Sequence, residues 1–164
     1  MLNLALMPKP VTQLGKRSIL TGAQVRDPQS ILEAFPNPHP GRDYGVEFVF
    51  PEFTSVCPVT GQPDFATITV QYVPDRYCVE MKSLKLYFFA FRDQGVFFES
   101  IVNTILDDLV AVLAPRRMKV IGTFNVRGGM GATVTAEHDG RPGAGKPSIR
   151  RAANGRRAKP VEGL

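Results

Sequence analysis

Two runs of alternating apolar and polar residues predict neighbouring strands in the first half of the chain. In residues 46–50, apolar side chains recur at every second position, which predicts a strand that ends near Pro51. Residues 66–72 show the clearest alternation, with four apolar side chains on one face and threonine or glutamine on the other. Pro74 ends this second strand.

Apolar residues at helical spacing predict two helices in the middle of the chain. A short helix is expected from Leu84 to Phe91, with Ser83 as its capping residue. From Phe97 onward, apolar side chains recur every three or four positions as far as Pro115. This pattern predicts a longer amphipathic helix that the proline terminates.

Two further strands are predicted after the helices, at residues 120–124 and 132–135, on either side of a turn at Arg127-Gly128-Gly129. The order strand, strand, helix, helix, strand, strand indicates an α+β fold, in which a small antiparallel sheet carries both helices on one face. A sheet of this size has exposed edges, and such edges are commonly sealed by another subunit. We therefore expect a ring-forming homo-oligomer.

The placement of prolines and glycines divides the chain into three parts. Residues 1–40 carry repeated prolines between short apolar runs, which predicts an N-terminal arm that wraps over the domain. Residues 41–136 contain all the predicted strands and helices and form the domain. Residues 137–164 are rich in glycine and proline and lack apolar periodicity, which predicts a disordered tail.

The basic charge is concentrated in this tail. It holds seven basic and three acidic residues, so it supplies +4 of the net charge of +5. The rest of the chain is nearly neutral, and its charge gives no reason to expect direct nucleic-acid binding by the domain. Two interpretations of the tail stay open: a solvated appendage, or a segment that contacts RNA, another acidic surface or a neighbouring subunit.

No stretch of the sequence is apolar for long enough to span a membrane, since about 18 consecutive apolar residues are needed. Residues 1–7 are apolar, but Pro8 follows at once, and neither a basic leader nor a small-residue cleavage site accompanies them. We therefore expect a cytoplasmic protein whose thiols stay reduced.

The cysteines and histidines give no metal-binding pattern. Cys57 and Cys78 allow at most one bridge, which argues against a disulfide framework in a reducing compartment. The two histidines, His39 and His138, lie in segments rich in proline and glycine, and no Cys-x-x-Cys or His-x-x-x-His spacing occurs. We expect no metal site.

Cys57 and Asp64 form the first candidate for chemistry. Two prolines and a glycine lie between them, so the chain bends back and the thiol and carboxyl are expected to face each other across one loop. A cysteine nucleophile reacts as the thiolate, and a neighbouring acid or base lets the addition proceed at neutral pH. The alternative is that Cys57 is a small buried packing residue. The pattern alone leaves both interpretations open.

A basic patch at the predicted start of the first helix forms the second candidate. Lys82 and Lys85 flank Ser83, and a helix N-terminus with ammonium groups suits a phosphate. Arg127, beside two glycines, offers a second anion contact. The alternative is a solvated surface. Neither a Gly-x-Gly-x-x-Gly motif nor a Walker-type loop is present, so a nucleotide would not be held in either of those ways.

Glu99 forms the third candidate, because it follows Phe97 and Phe98 at the start of the long helix. A glutamate among aromatic rings suits the amine and ring N–H groups of a guanine-like base. The alternative is a first-turn glutamate stabilised by the helix dipole.

Three segments together resemble one enzyme family. Residues 52–65 (EFTSVCPVTGQPDF), 80–87 (EMKSLKLY) and 92–99 (RDQGVFFE) are similar to the nucleophile loop, the nicotinamide-cofactor signature and the substrate-binding segment of the NADPH-dependent 7-cyano-7-deazaguanine reductases of queuosine biosynthesis. The similarity runs roughly from Leu14 to Gly129, and the segments occur in the order typical of the family.

This resemblance implies the tunnelling fold (ββααββ), in which subunits form pentameric barrels that stack and active sites lie between subunits. It implies an oxidoreductase that reduces the nitrile of 7-cyano-7-deazaguanine to 7-aminomethyl-7-deazaguanine with two molecules of NADPH. Cys57 would form a covalent thioimide with the nitrile carbon, and Asp64 would donate a proton to the nitrogen.

The resemblance also assigns the binding residues. The residues expected to contact substrate are Val79, Glu80, Met81, Phe98 and Glu99. The residues expected to serve the cofactor are Lys82, Ser83, Lys85 and Arg127. Two positions depart from the family pattern: the family commonly has a histidine where this chain has Phe98, and a serine is frequent where it has Met81.

Two rival functions follow from the same sequence. One is a non-reducing tunnelling-fold enzyme that acts on pterins or purines, which would need the clustered histidine and cysteine ligands that this chain lacks. The other is an RNA-binding protein driven by the tail, which predicts that removal of residues 137–164 abolishes function. The reductase interpretation predicts little loss of turnover.

Overall fold

The computed structural model describes residues 11–12 and 19–140 of the chain. In chain order they form α1 (Gly22–Arg26), a 3₁₀ helix (Pro28–Ile31), β1 (Ala34–Pro36), β2 (Val46–Val56), β3 (Pro63–Val73), β4 (Tyr77–Val79), α2 (Met81–Phe89), α3 (Phe98–Leu113), β5 (Arg117–Arg127) and β6 (Met130–Asp139). Among these helices none is both long and apolar enough to cross a membrane.

The main sheet is antiparallel and has the strand order β2-β3-β5-β6. Both long helices pack on the same face of it. Phe88 of α2 stacks on Phe50 of β2, with ring centroids 5.0 Å apart, and Phe50 is opposite Ile68 of β3. Ile68 is in turn opposite Gly122 of β5, on which Val102 of α3 packs. The predicted α+β fold, with two helices on one face, is confirmed.

Strand β2 is longer than the sequence pattern predicts. It continues through Pro51 to Val56, whereas an end near Pro51 was expected. Its pairing with β3 shifts register between Phe50 and Phe53. Proline has no N–H for the ladder, so it is tolerated at such an irregularity. The extension brings the end of the strand to the residue before Cys57.

A second, two-stranded sheet joins the N-terminal segment to the start of α2. In this sheet β1 pairs with β4, with Ala34 opposite Val79. The pairing is extended by a hydrogen bond from the Glu80 N–H to the carbonyl of Glu33, at 2.9 Å. Part of the expected N-terminal arm is therefore a strand that pairs beside residues 80–87, the segment that the resemblance assigns to cofactor binding.

Helix α2 is capped by Glu80, and the prediction that Ser83 caps it is wrong. The Glu80 carboxylate accepts hydrogen bonds from the N–H groups of Lys82 (2.9 Å) and Ser83 (2.7 Å). Ser83 lies one turn inside the helix, where its buried hydroxyl donates to the Glu80 carbonyl (2.8 Å) and accepts from the Glu33 N–H (3.0 Å). Both side chains thus stabilise the start of the helix.

Helix α3 and the closing strands follow the predicted order. The helix ends at Leu113, and Ala114 adopts a left-handed conformation (φ 42°) before Pro115. Strand β6 extends to Asp139, three residues beyond the expected domain end at 136. Residues 141–164 of the expected tail, and residues 1–10 and 13–18 of the arm, lie outside the described residues, and the three-part division stays a prediction.

Candidate active site

Cys57 and Asp64 lie at the end of one hairpin. Strands β2 and β3 pair as far as Ser55 opposite Asp64 and Val56 opposite Pro63, so the loop between them starts at Cys57. Two backbone hydrogen bonds close this loop, from Cys57 N–H to the Gln62 carbonyl and from Gly61 N–H to the Cys57 carbonyl, both 2.8 Å long. The loop brings the two residues to the same end of the hairpin, and the expectation that the thiol and carboxyl face each other stays a prediction.

Hydrogen-bond donors of the same loop and of Arg127 stabilise the thiolate of the half-buried Cys57. The hydroxyl of Thr60 is the strongest of them, followed by the backbone N–H groups of Thr60 and Val59, and Arg127 also contributes. Since these donors stabilise the anion, they lower the pKa of Cys57 from an ordinary 9.0 to about 7. A lowered pKa of this kind is typical of reactive cysteines and not of inert packing residues.

Arg127 joins the nucleophile loop to Asp64. Its Nη1 donates to Oδ1 of Asp64 at 2.5 Å, and its Nη2 donates to Oγ1 of Thr60 at 3.0 Å and to Oε1 of Gln62 at 3.2 Å. The Asp64 side chain is only 4% exposed. A hydrogen bond with Cys57 and the charge of Asp64 raise the pKa of Arg127, so the guanidinium stays charged.

The hairpin between β5 and β6 sets the position of Arg127. Arg127 pairs with Met130 across a two-residue turn, in which Gly128 and Gly129 both have positive φ (58° and 83°). Glycine takes this conformation without a steric penalty, and two such residues make the tight turn that joins twisted strands. The turn therefore places the arginine at the last position of its strand, beside the loop that holds Cys57.

The third signature segment packs directly against the nucleophile loop. Val56 N–H donates to the carbonyl of Gln94 (3.0 Å), and Val96 N–H donates to the carbonyl of Val56 (3.2 Å). Gly95 lies so close to Pro58 that a Cβ at this position would come within 3.3 Å of the proline Cα. The backbone thus ties residues 94–96, which lead into α3, to the residues around Cys57.

The residues predicted to contact substrate have different surroundings. Val79 and Glu80 are buried, and Met81 is 51% exposed at the start of α2. Phe98 is half-buried and stacks on Phe124, with centroids 3.8 Å apart and an angle of 12° between the rings. Glu99 is exposed in the first turn of α3. Their roles in binding stay predictions.

The residues predicted to bind the cofactor fall into two groups. Lys82 is half-buried and Lys85 is exposed on the first turns of α2, whereas the hydroxyl of Ser83 is buried and engaged by backbone groups. The Glu80 carboxylate occupies the backbone N–H groups that the sequence pattern offered to a phosphate. Arg127 lies at Asp64 and Thr60. Within residues 19–140 no group of three or more side chains suits a metal ion.

Thr60 and Gln62 are members of the site that the sequence pattern did not identify. They lie inside the loop between Cys57 and Asp64, where polar residues are ordinary turn formers. Only their contacts with Arg127, more than 60 positions later in the chain, distinguish them from other loop residues.

Comparison with known proteins places this site in a family. A family model described as a QueF-like protein matches residues 63–142. The NADPH-dependent 7-cyano-7-deazaguanine reductase of Anaeromyxobacter dehalogenans (strain 2CP-C) is 58% identical over 115 residues, which cover 70% of this chain and 94% of that protein. This chain belongs to that reductase family. The reductases of Halorhodospira halophila (56% identity, covering 70% and 98%) and Alkalilimnicola ehrlichii (61%, covering 68% and 86%) are also relatives.

A solved structure supports the fold of this reductase family member. The chain aligns with the crystal structure of the archaeosine synthase QueF-Like in the apo form, with a TM-score of 0.55 and 23% sequence identity. The alignment covers 60% of this chain and 96% of that one. The likeness confirms the tunnelling fold that the resemblance implied.

Proposed function

We propose that this chain uses NADPH to reduce the nitrile of 7-cyano-7-deazaguanine to the primary amine 7-aminomethyl-7-deazaguanine, a step of queuosine biosynthesis. The observation that carries the proposal is Cys57, whose pKa is lowered to about 7 by neighbouring hydrogen-bond donors, at the end of the hairpin that also carries the buried Asp64. This cysteine occurs in a chain that is 58% identical to the NADPH-dependent 7-cyano-7-deazaguanine reductase of Anaeromyxobacter dehalogenans. We place the reaction in the cytoplasm.

The first chemical step is addition of the sulfur to the nitrile. The sulfur of Cys57 forms a bond to the nitrile carbon, one π bond of the carbon–nitrogen triple bond breaks, and its electron pair takes a proton at nitrogen from Asp64. The product is a covalent thioimide, and the addition consumes neither oxidant nor reductant. A soft thiolate suits this electrophilic carbon, and the lowered pKa of Cys57 keeps the thiolate available near neutral pH.

The substrate base is recognised by the first residues of α3 and by the residues at the start of α2. Glu99 is exposed in the first turn of α3, and its carboxylate suits the amine and ring N–H donors of the base. Phe98 covers a face of the base, in the position where the family commonly has a histidine. Val79, Glu80 and Met81 complete the contacts. Glu80 acts chiefly through its backbone, because its side chain caps α2.

The lysines of α2 suit the phosphates of NADPH. Lys82 and Lys85 lie on the first two turns of the helix, and ammonium groups pair well with phosphate oxygens. Ser83 supports them from the buried side by hydrogen bonds to the backbone. When bound, NADPH supplies the hydride, and two molecules are needed to take a nitrile to an amine.

A homo-oligomer completes the active site. Strands β2 and β6 are the outer strands of the main sheet in the described part of the chain. Unpaired edges of this kind favour association with another copy. We propose pentameric rings that stack, with each active site between subunits.

Two measurements test the proposed function. The wild-type protein, mixed with 7-cyano-7-deazaguanine without NADPH, should gain the mass of the substrate in intact-mass spectrometry, and added NADPH should be oxidised only when the nitrile is present. Cys57→Ala should show neither, whereas Cys78→Ala, which removes the other thiol, should show both. A wild-type protein that forms no adduct and oxidises no NADPH would overturn the proposal.

A further inference from the structure

The hydroxyl of Thr60 has two hydrogen-bond donors beside it. It accepts a hydrogen bond from Nη2 of Arg127 at 3.0 Å and a longer one from the N–H of Gln62 at 3.4 Å. A threonine hydroxyl has one proton and two acceptor lone pairs. Arg127 and Gln62 both donate to the oxygen, which leaves the proton for an acceptor. Thr60 lies in the turn that Cys57 begins, closed by the hydrogen bond from Gly61 N–H to the Cys57 carbonyl (2.8 Å), and its hydroxyl is the largest cause of the lowered pKa of Cys57.

We infer that Thr60 and Arg127 are positioning residues for this reaction: Arg127 orients the hydroxyl of Thr60, and that hydroxyl holds the sulfur of Cys57 in its attacking, ionised form. The inference rests on the proposed function for the identity of the electrophile. It also gives Arg127 a task at the nucleophile, which differs from the cofactor contact that the family resemblance implied.

The shape of the guanidinium explains why an arginine suits this task. It presents its N–H donors in a rigid planar fork, so it can hold two acceptors at a fixed separation. In this site Nη1 holds Asp64 and Nη2 holds Thr60 and Gln62. One side chain therefore sets the spacing between the acid and the loop that carries the nucleophile. A lysine would supply the charge but not the fork.

The protonation of Cys57 agrees with this geometry. Its pKa is lowered to about 7, with the Thr60 hydroxyl as the largest cause. At pH 7 about half of the cysteine is then thiolate, compared with a few per cent for a free cysteine. Because the pKa is lowered, the thiolate is present above pH 7 and is lost as the pH falls below it. Removal of the hydroxyl should raise the pKa and move this loss to higher pH.

The experiment measures the rate of Cys57 alkylation by iodoacetamide as a function of pH. Every protein carries Cys78→Ala, so that only one thiol reacts. Thr60→Val removes the hydroxyl and keeps the shape, and it should raise the midpoint by about one pH unit, which lowers the rate at pH 7 about fivefold. Thr60→Ser restores a hydroxyl and should return the midpoint close to that of the Cys78→Ala parent. Arg127→Met should raise it by a smaller amount, and thermal unfolding verifies that each variant is folded.

A second measurement separates this role from cofactor binding. The rate of adduct formation with 7-cyano-7-deazaguanine is followed without NADPH, where a residue that only binds the cofactor has no effect. Thr60→Val and Arg127→Met should slow the addition at neutral pH, and the rate of Thr60→Val should approach the parent's above both midpoints. Superimposed pH profiles for the parent and both variants, or an Arg127→Met protein that changes only the KM for NADPH, would overturn the inference.

The two proposals fail in different ways. Alkylation by iodoacetamide needs no substrate, so it reports the state of Cys57 whatever the protein reduces. Shifted alkylation profiles in proteins that form no adduct with the nitrile would overturn the proposed function and leave the positioning of Cys57 supported. Adduct formation together with unshifted alkylation profiles would support the proposed function and overturn the positioning of Cys57.

Discussion

Arg127 and Asp64 form an ion pair in which Nη1 lies 2.5 Å from Oδ1, although 63 positions separate them in the chain. Asp64 is buried, and a buried carboxylate needs such a partner. In the proposed addition the nitrile nitrogen takes a proton from Asp64. When Cys57 starts as the thiol, its proton can pass through Asp64 to that nitrogen. The addition then balances without a proton from another source.

The first prediction concerns Asp64→Asn. An asparagine keeps the size of the side chain and an oxygen that accepts from Arg127, but it can neither take up nor donate the proton. Substrate-dependent NADPH oxidation should fall by about 100-fold or more, while 7-cyano-7-deazaguanine still binds in calorimetry. Asp107→Asn, on the exposed side of α3, is the control and should stay active. Full activity of Asp64→Asn would remove Asp64 from the proton transfer.

The second prediction concerns the cap of α2. Glu80→Ala leaves the N–H groups of Lys82 and Ser83 without their acceptor. The free energy of unfolding should fall by about 0.5–2 kcal/mol, as for other lost helix caps, and urea denaturation measures it. Glu80→Gln retains an acceptor oxygen and should lose less. Equal stability of the wild type and Glu80→Ala would mean that the side chain serves the substrate alone.

The third prediction concerns Gly122, which lies where α3 packs on β5. A Cβ at this position would come within 2.7 Å of Cγ2 of Val102 and 2.9 Å of the ring of Phe124. Gly122→Ala should therefore destabilise the protein by about 1–3 kcal/mol, measured by urea denaturation. Gly131→Ala is the matched control, because its nearest neighbour, a methyl group of Val126, would be 3.6 Å away. A Gly122→Ala protein as stable as the wild type would contradict this packing.

The fourth prediction compares two truncations. A chain that ends at Gly140 keeps all of β6, whereas one that ends at Ala136 loses the last residues of that strand. The shorter chain also loses the ion pair of Glu137 with Lys119 (2.8 Å) and the hydrogen bond from Gly140 N–H to the Arg116 carbonyl (2.9 Å). Removal of residues 141–164 should leave the kcat for NADPH oxidation unchanged. Removal of residues 137–164 should lower the Tm, because the shorter chain lacks these contacts. Loss of turnover in the chain that ends at Gly140 would contradict the prediction that the tail is dispensable for reduction.

The outline of the fold followed from local patterns. The alternation at residues 66–72 predicted β3 and its buried face, since the strand period alone decides which side chains share a face. The apolar spacing after Phe97 predicted α3, and Pro115 marked its end. The turn-forming residues between Cys57 and Asp64 predicted that both lie at one loop, because such residues act over a few positions.

The partners of the site depended on tertiary structure. Ser83 and Glu80 both suit a cap, and the contact of Ser83 with Glu33 leaves the cap to Glu80. Strand β1 has three residues and a proline, too few for a periodic signal, and it forms because β4 offers a partner.

Arg127 is the clearest case of this division. Its sequence neighbours, two glycines, indicate a turn, but they say nothing about what lies opposite that turn. Only the pairing of β3 with β5 brings the arginine to Asp64 and Thr60. By itself, the sequence determined the order of the long strands and helices, their buried faces and the loop with the nucleophile, because these depend on neighbours along the chain. The tertiary structure decided which charges and hydroxyls meet at the sulfur, because that depends on strand pairing between distant segments.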